Sequence, residues 1–410
     1  MVVKIAQISC GTEYSGVQKE IEKATEMVGA KIFTPEVDLA DVRRVEDEIP
    51  FVPASSGLKT MLARMQAIIE GKSKADAVLV LTCFRCAEGA LTRTMVRRML
   101  QRKTNIPIVS HSFTERTKAT NLLLKIEALV DMVEKGALLG RREQKGITIG
   151  IDSGSTMTKG VIMKDNEVIA YEWIPTIEVK ALASKVMDQL LSKANMSIDK
   201  IDAIGITGYG RFILREIQPE KVKLAMEEVT VCSKGAAYLA ERLDGDATVI
   251  DIGGADNKAT TMHNGLPDSF SVGGICAGAS GRFLEIVASR LGVTVSELGE
   301  IAMKGRPEKV MMNSYCIVFG ISDLVSSLAL GVSKEDAATA ACYSVAEQFY
   351  EQQMQEIDVR EPIIQIGGTS LIKGLNKALS DMLRAEVIVP PLSQFAGAVG
   401  AALLVSGLVE

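Results

Sequence analysis

The stretch that decides the fold reads Ile147-Thr-Ile-Gly-Ile-Asp-Ser-Gly-Ser-Thr-Met-Thr-Lys159. The apolar run, the glycine turn and the return to alternating residues predict a strand, a tight turn and a second strand. An aspartate at a strand end can hold a hydrated metal ion, and the glycine and hydroxyls after it let backbone N–H groups approach phosphate oxygens. A plain hairpin is the alternative, because Asp-x-Gly is also ordinary turn chemistry. The candidate phosphate-binding residues are Asp152, Gly154, Ser155, Thr156 and Lys159.

Two later stretches repeat this strand-then-glycine arrangement. Thr248-Val-Ile-Asp-Ile-Gly-Gly254 repeats both the aspartate and the glycines, and Ile363-Ile-Gln-Ile-Gly-Gly368 repeats a glycine pair after an apolar strand. An internal repeat of this kind predicts two related lobes around a cleft, with the lobes over residues 147–228 and 229–389. A last helix over residues 397–408 is expected to return to the first lobe. The candidate residues in the repeats are Asp251, Gly253, Gly254, Gly367 and Gly368.

A further glycine-rich stretch contains a cysteine. Gly273-Gly-Ile-Cys-Ala-Gly-Ala-Ser-Gly-Arg-Phe283 places Cys276 shortly before an amphipathic helix, and Cys316 also precedes a predicted helix. N–H groups at helix starts favour bound negative charge, including thiolates. Ordinary buried thiols are the alternative for both cysteines. The candidate glycines of this stretch are Gly278 and Gly281. Two other cysteines, which fall on apolar helix faces, are predicted to be core residues: Cys232 and Cys342.

Composition bounds the class of protein. The chain has 410 residues, 47% of them hydrophobic and 4% aromatic, which predicts two or three domains with substantial cores. No secretory signal peptide is recognised, and seven cysteines without regular spacing favour a reducing, cytoplasmic compartment. The apolar run over residues 396–408 is too short to span a membrane. Residues 147–410 hold 23 Lys and Arg against 33 Asp and Glu, so neither nucleic acid nor a membrane is expected as a partner.

The first 135 residues alternate apolar strands and helices. Strands that are apolar on both faces and separated by helices predict a parallel sheet, so residues 1–135 form an α/β domain and residues 136–146 a linker. The predicted strands are Val2–Ile8, Lys31–Phe33, Ala77–Leu81 and Ile106–Val109. The predicted helices are Val17–Val28, Gly57–Glu70, Glu88–Arg102 and Thr117–Lys135, with an acidic loop before the second.

Three cysteines of this domain follow strands of the predicted sheet. Cys10 follows the first strand, and Cys83 and Cys86 follow the third. The carboxyl ends of neighbouring parallel strands meet at one edge, so these thiols are expected to converge. A metal or iron–sulfur site, a redox dithiol at Cys83 and Cys86, and plain core thiols all stay open. His111 is expected to follow the fourth strand at the same edge.

The aspartates and glycine turns together resemble the actin, heat-shock protein 70 and sugar-kinase superfamily, whose lobes are ribonuclease H-like. That resemblance implies a mixed α/β architecture with a two-lobed ATPase domain over residues 147–410, using ATP and Mg²⁺. It further implies that Asp152 and Asp251 position the metal and the attacking water, while the glycine turns hold the phosphates.

Three motifs of this half resemble a narrower family. Cys276-Ala-Gly-Ala-Ser-Gly-Arg-Phe-Leu-Glu285, Thr207-Gly-Tyr-Gly-Arg211 and Tyr315-Cys-Ile-Val-Phe319 are similar to activators of 2-hydroxyacyl-CoA dehydratases and to benzoyl-CoA reductase ATPases. The resemblance implies that Cys276 and Cys316 from each of two subunits hold one shared [4Fe–4S] cluster in a homodimer. It also implies that ATP hydrolysis drives an electron from a low-potential donor into an acceptor enzyme.

The chain departs from that family at three places, where it reads Gly253-Gly-Ala-Asp256, Gly320-Ile-Ser-Asp323 and Gly367-Gly-Thr-Ser370. The effect of Ala255 and Ile321 on hydrolysis is left open by the sequence.

The added N-terminal domain resembles the dehydratase subunits that such activators serve. The whole fusion resembles methanogenesis marker proteins of methanogenic archaea, which implies a role in reductive activation of methyl-coenzyme M reductase. A non-redox, ATP-switched assembly factor and a small-molecule kinase are the alternative functions.

Overall fold

The protein is described from a computed structural model that covers residues 2–49, 52–176, 179–273 and 281–409. The chain divides into two compact units. The N-terminal unit contains residues 1–136 together with 267–270, and the C-terminal unit contains residues 137–266 and 271–410. Each unit has its own buried apolar core. The fold class expected from the sequence, a parallel-sheet α/β domain followed by an actin-like ATPase domain, is confirmed.

The N-terminal unit is a parallel sheet with strand order β4-β3-β1-β2. β3 lies between β1 and β4, and Ser9 is level with Leu81 across the first of these pairs. Both faces of β3 are buried, which explains its uninterrupted apolar sequence. The strands are β1 (Lys4–Ser9), β2 (Lys31–Phe33), β3 (Ala77–Cys83) and β4 (Ile108–Phe113). The helices are α1 (Val17–Met27), α2 (Leu39–Glu48), α3 (Ser56–Ile69), α4 (Ala87–Lys103) and α5 (Ala119–Glu134).

Helix α2 occupies the segment predicted as an acidic loop, so that prediction was wrong. The helix begins with a capping box in which Asp38 accepts a hydrogen bond from the Asp41 N–H at 2.8 Å. Acidic side chains in a first turn favour a helix rather than exclude it. Val45 buries the apolar side of the helix against the core of the unit.

Strand β4 extends further than the sequence predicted, because its pairing with β3 continues as far as Cys83 and Phe113. His111 therefore lies within β4, level with Leu81, and not beyond the strand end. Burial, with Lys125 and Arg93 nearby, lowers the pKa of His111 to about 3. A neutral, half-buried histidine of this kind fits a structural role.

The first sheet of the C-terminal unit has strand order β7-β6-β5-β8-β9. β5, β6 and β7 form an antiparallel meander, and β8 and β9 continue the sheet in parallel. Asp165 and Asn166 both adopt positive φ at the β6–β7 connection, as a tight turn between two antiparallel strands requires. The strands are β5 (Ile147–Ser153), β6 (Met157–Lys164), β7 (Glu167–Pro175), β8 (Ala203–Thr207) and β9 (Val222–Ala225).

The second sheet of this unit is built around a strand that repeats the role of β5. β10 pairs in antiparallel fashion with β11 and in parallel with β13, as β5 pairs with β6 and β8. The strands are β10 (Ala247–Ile252), β11 (Asn257–His263), β13 (Ile363–Ile366) and β14 (Val387–Ile388), and β12 (Leu266–Val272) includes the residues 267–270 that are assigned to the N-terminal unit. The helices of the unit are α6 (Gly136–Leu139), α7 (Val179–Lys193), α8 (Arg211–Leu214), α9 (Glu228–Leu239), α10 (Gly281–Leu291), α11 (Val295–Ile301), α12 (Ile317–Ala329), α13 (Lys334–Gln352), α14 (Lys373–Leu383) and α15 (Ala396–Val405).

Helix α15 joins the two halves of the C-terminal unit. All ten of its residues are buried. It packs on β6 through Val399 and on α9 through Leu404. A side chain at Gly400 would overlap the carbonyl oxygen of Val231 in α9, so the two helix backbones are in direct contact. Among the described residues, no helix is both long and apolar enough to cross a membrane.

Candidate functional site

A cavity of about 460 Å³ lies in the C-terminal unit, at the ends of the strands that carry the glycine turns. Every described residue that the sequence predicted for phosphate or metal binding in this unit, Cys316 excepted, lines this cavity. Cys276 and Gly278 lie outside the described residues. The predicted residues in the wall are Asp152, Gly154, Ser155, Thr156, Lys159, Asp251, Gly253, Gly254, Gly281, Gly367 and Gly368.

The first aspartate is held between backbone segments. Asp152 is level with Lys159 across the β5–β6 hairpin, and the Gly154 N–H closes the turn by donating to the Met157 carbonyl at 3.0 Å. Gly208 has φ 86°, and a side chain there would lie 2.7 Å from Asp152 Oδ1. Only glycine combines this conformation with so close an approach. The Thr207-Gly-Tyr-Gly motif thus fixes the direction of the Asp152 carboxylate.

The second aspartate is held in the same manner. Gly367 has φ 85°, and a side chain there would lie 2.5 Å from Asp251 Oδ1. The Gly253 N–H donates to the Asp256 carbonyl at 2.9 Å, which closes the second turn. A side chain at Gly254 would collide with Thr156, so the two turns touch across the cavity. Backbone N–H groups from both turns therefore lie within one small space, as a bound polyphosphate requires.

Burial raises the pKa of both aspartates above its usual range. Lys159 opposes this effect at Asp152, whereas the negative charge of Asp251 adds to it. At Asp251 the strongest opposing group is Lys258. Two carboxylates that destabilise each other's charge bind a divalent cation more readily than either would alone, since the cation removes the repulsion.

Four charged residues that line the cavity were not predicted as site residues: Glu228, Asp256, Lys258 and Glu285. Lys258 Nζ lies 3.2 Å from Glu228 Oε1 and 2.8 Å from Asp256 Oδ2. Lys258 is only 5% exposed. Burial opposes its charge, yet Glu228, Asp256 and Asp251 together raise its pKa well above the usual value. The lysine is therefore a permanent cation in the cavity wall.

Glu228 is a half-buried acid at the start of α9. Burial raises its pKa, and Asp256, Asp152 and Asp251 add to this effect, with Lys258 opposing them. The residue before it, Glu227, caps the helix and accepts hydrogen bonds from two backbone N–H groups of the first turn. In the sequence, these residues appear only as a lone lysine within a buried strand and a pair of glutamates before an apolar helix. Neither pattern alone indicates a functional site.

The cysteines of this unit have different surroundings. Cys342 is fully buried in the apolar core, as predicted. Cys232 is also buried, but it borders the cavity beside the aspartates, and burial raises its pKa well above the usual range. Cys316 is half-buried and precedes α12, as predicted. Its backbone N–H donates to Asn313 Oδ1 at 2.8 Å.

A chain of contacts leads from the cavity to α12. The Gly281 N–H at the start of α10 donates to the Gly253 carbonyl at 2.8 Å, and the next N–H donates to Gly254 at 3.0 Å. One turn into α10, the Phe283 ring packs against Gly320 of α12, where an added methyl group would lie 3.1 Å from the ring. The second glycine turn is thus connected through α10 to the helix that begins after Cys316.

The predicted thiols of the N-terminal unit are Cys10, Cys83 and Cys86, and all three are half-buried. The charges of Cys83 and Cys86 act on Cys10, so the structure brings the three side chains into one neighbourhood. Within residues 2–49, 52–176, 179–273 and 281–409, however, no group of three or more His, Cys, Asp or Glu side chains is arranged to hold a metal ion.

Comparisons with known proteins agree with this geometry. The family model described as BadF/BadG/BcrA/BcrD ATPase matches residues 149–405. The chain is 55% identical over 407 residues to an uncharacterised protein of Methanocaldococcus jannaschii, covering 99% of this chain and 98% of the relative. It is 33% identical over 258 residues to a 2-hydroxyisocaproyl-CoA dehydratase activator of Clostridioides difficile, covering 62% of this chain and 93% of the relative.

A solved structure gives the same result. The activator of 2-hydroxyisocaproyl-CoA dehydratase from Clostridium difficile, with bound ADPNP, superposes with a TM-score of 0.59 at 30% identity. The match covers 64% of this chain and 95% of the activator. The resemblance inferred from the cysteine and glycine motifs is confirmed at this level: the chain belongs to the BadF/BadG/BcrA/BcrD ATPase family.

Proposed function

We propose that this protein is an ATP-driven activator that passes a low-potential electron to a partner enzyme through a [4Fe–4S] cluster shared by two copies of the chain. The observation that carries the proposal is the cavity, where two glycine turns and two fixed carboxylates face each other. Relatives of the C-terminal unit are named as activating ATPases of dehydratases and as a benzoyl-CoA reductase subunit.

In the proposed reaction the glycine turns bind the phosphates and the carboxylates organise hydrolysis. Asp152 and Asp251 would hold Mg²⁺, which supplies charge neutralisation of the phosphates when bound. Glu228 has a raised pKa and lies near both, so it is placed to accept a proton from the attacking water. Lys258 balances the acidic groups and keeps Asp256 and Glu228 in place.

Hydrolysis would reach the cluster through α10 and α12. Loss of a phosphate changes what Gly253 and Gly254 bind, and both carbonyls accept hydrogen bonds from the start of α10. Movement of α10 would displace Phe283 against Gly320, and hence α12. ATP can shift this equilibrium only if it binds two arrangements differently, and the hydrogen bonds to the turn provide that difference.

Cys316 and Cys276 are the proposed cluster ligands. Cys316 is half-buried at the start of α12, so its sulfur is open to a second copy. The apolar side chains beside it, Val318 and Phe319, are 71% and 62% exposed, as a contact surface between copies would require. A cluster between two subunits needs only two thiolates from each, and when bound it supplies a one-electron carrier.

We further propose methyl-coenzyme M reductase as the partner, with activation of its nickel cofactor as the outcome. The support is the motif resemblance together with a relative from Methanocaldococcus jannaschii that matches the N-terminal unit as well as the ATPase unit. The test is ATP-dependent recovery of methyl-coenzyme M reductase activity when the purified protein and a low-potential donor are added. Recovery that is equal without ATP would exclude this role.

The decisive experiment is anaerobic purification followed by iron, sulfide and mass measurements. We expect four iron and four sulfide per two chains, and we expect Cys316→Ser to lose both the iron and the dimer. Cys342→Ser is the matched control, because that thiol is fully buried in the core. A stable dimer without iron that still hydrolyses ATP would favour the non-redox assembly factor.

Nucleotide binding has its own readout. The single tryptophan of the chain, Trp173, lines the cavity and is 48% exposed, so its fluorescence should change when ATP binds. Asp152→Ala and Asp251→Ala should each abolish hydrolysis, because each removes a carboxylate from the proposed metal site. Normal ATP turnover in both variants would show that hydrolysis does not take place in this cavity.

A further inference from the structure

A pair of thiols in the N-terminal unit does not line the ATPase cavity and has no part in the proposed function. Cys83 ends β3, and Cys86 immediately precedes α4. Both residues are half-buried, whereas Cys342 is fully buried in the core of the C-terminal unit. We propose that Cys83 and Cys86 form a reversible dithiol–disulfide pair that reduces a disulfide on another protein.

The backbone between the two cysteines already has the conformation that a disulfide needs. Phe84 and Arg85 form a turn in which the Cys86 N–H donates to the Cys83 carbonyl at 3.2 Å. A turn of this type keeps the Cα atoms of its first and fourth residues within about 7 Å. Disulfides join Cα atoms that are about 4.4–6.8 Å apart. Closing the bond therefore requires little movement of the backbone.

The turn is anchored at both ends. The Phe84 N–H donates to the Phe113 carbonyl at 2.9 Å, which extends the pairing of β3 with β4 into the turn. At the other end, Cys86 caps α4, and its Sγ accepts a hydrogen bond from the Gly89 N–H at 3.2 Å. Both sulfurs are thus presented by rigid elements, and the same backbone serves the reduced and the oxidised form.

Cys10 has a different character. Burial raises its pKa, the Cys83 N–H opposes this effect through a hydrogen bond, and the charges of Cys86 and Cys83 add to it. Cys10 follows β1 and lies outside the turn that joins Cys83 to Cys86, so it is a neighbour of the pair and not a member of it.

The surface around the pair indicates the reactant. Tyr14, close after Cys10 in the chain, is 90% exposed, and Phe84, within the turn, is 70% exposed. Leu91 on α4 is 63% exposed. Large apolar side chains of this kind are suited to a protein surface and not to a small, charged disulfide. A disulfide on a protein and a small, charged disulfide can therefore be distinguished by the rates at which they react with the pair.

The chemistry balances without another reactant. One sulfur of the pair attacks the disulfide R–S–S–R′ and releases R–SH, and the second sulfur then displaces R′–SH. The pair loses two electrons and forms one S–S bond, while the substrate gains two electrons and its S–S bond breaks. The two protons of the thiols leave on the two released thiols.

The test equilibrates the full-length protein, without oxygen, in mixtures of oxidised and reduced dithiothreitol. Free thiols are alkylated, and peptides are identified by mass spectrometry. We expect a Cys83–Cys86 disulfide that forms and disappears reversibly. The ratio of oxidised to reduced protein should be proportional to the ratio of oxidised to reduced dithiothreitol, as one two-electron couple requires. Cys10→Ser should follow the same curve. Cys83→Ser and Cys86→Ser should each leave the remaining cysteine open to alkylation at every reagent ratio, because a mixed disulfide with dithiothreitol is released when the reagent closes its own ring.

Two results would overturn the proposal. The first is a metal or iron–sulfur cluster, present in stoichiometric amount, that protects all three thiols from alkylation and is lost in Cys10→Ser. The second is a pair that does not respond to the reagent ratio. The class of reactant is tested with insulin disulfides and glutathione disulfide. We expect Phe84→Ser to slow the reaction with insulin at least several-fold and to leave that with glutathione disulfide unchanged; equal slowing of both would exclude a protein disulfide as the preferred reactant.

Discussion

Lys258 shows how a single buried charge can determine a site. It is a cation that is surrounded by Glu228, Asp256 and Asp251, and without it Lys159 would be the one lysine left among the described residues of the cavity wall. Breaking a buried ion pair from one side is costly, since the remaining partner keeps its desolvation penalty.

We therefore expect Lys258→Met to lower the free energy of unfolding by about 3 kcal/mol and to reduce ATP turnover at least about 100-fold. Urea unfolding followed by Trp173 fluorescence and a phosphate-release assay measure the two effects. Lys164→Met, on the exposed end of β6, is the matched control and should change neither. A variant that remains stable and active would mean that the acidic groups do not need this cation.

A second buried lysine allows a test by pH. Lys234 of α9 is 1% exposed, and burial lowers its pKa to about 8, with Arg142 acting in the same direction and Asp244 opposing. The unfolded chain keeps the ordinary pKa of 10.5, so between about pH 8 and 10.5 the unfolded state binds more protons than the folded state.

Stability of the C-terminal unit should consequently rise across that interval. We expect a gain on the order of 2 kcal/mol from this residue between pH 7.5 and 10. In Lys234→Met the gain should disappear, and the variant should be the more stable protein at pH 7. Urea midpoints at several pH values provide the measurement; parallel pH curves for the two proteins would show that Lys234 does not titrate in this way.

At the scale of elements, the contact of α9 with α15 is among the closest in the described part of the C-terminal unit. The helix backbones touch where Gly400 faces Val231 and where Gly235 faces Ala396. Space for even one methyl group is lacking at both positions. The contact lies beside the cavity, because α9 carries Glu228 and Cys232 at its start.

We expect Gly400→Ala to destabilise the unit by about 3 kcal/mol or more, since overpacking forces the two backbones apart. Gly136→Ala is the control, because an added methyl group there meets no neighbour within 4 Å. Thermal unfolding of both variants tests this expectation. Equal melting temperatures would contradict the close packing of α9 on α15.

The same elements show what the sequence could predict. The strands and most helices of the N-terminal unit were predictable because each is encoded by its own apolar run. The glycine turns were predictable because a motif of about three consecutive residues is enough to specify such a turn. Helix α2 was missed because acidic residues are common to loops and to first helical turns. Lys258 and Glu228 were missed for another reason: 30 residues separate them, and only the folding of α9 beside β11 gives them a shared role.

At the scale of the whole molecule, the proposed function requires nucleotide state to reach α12. The rate at which a chelator removes iron from the anaerobic protein should differ between the ATP and ADP forms, because exposure of the cluster would differ. Gly320→Ala, which crowds Phe283, should reduce this difference while Trp173 still reports ATP binding. If the chelation rates are identical while ATP is still hydrolysed, the energy of hydrolysis is used for some process other than electron transfer.

The position of α15 in the chain has a consequence for biosynthesis. This helix completes the cores on both sides of the cavity, yet it is translated after every strand of both sheets. At ordinary elongation rates the ribosome needs roughly 10–50 s to proceed from β5 to α15. During that interval the faces of β5, β6 and α9 that α15 will cover have no partner. We therefore expect the nascent C-terminal unit to bind chaperones until α15 has left the ribosome. Slower initiation of translation should consequently increase the yield of folded protein.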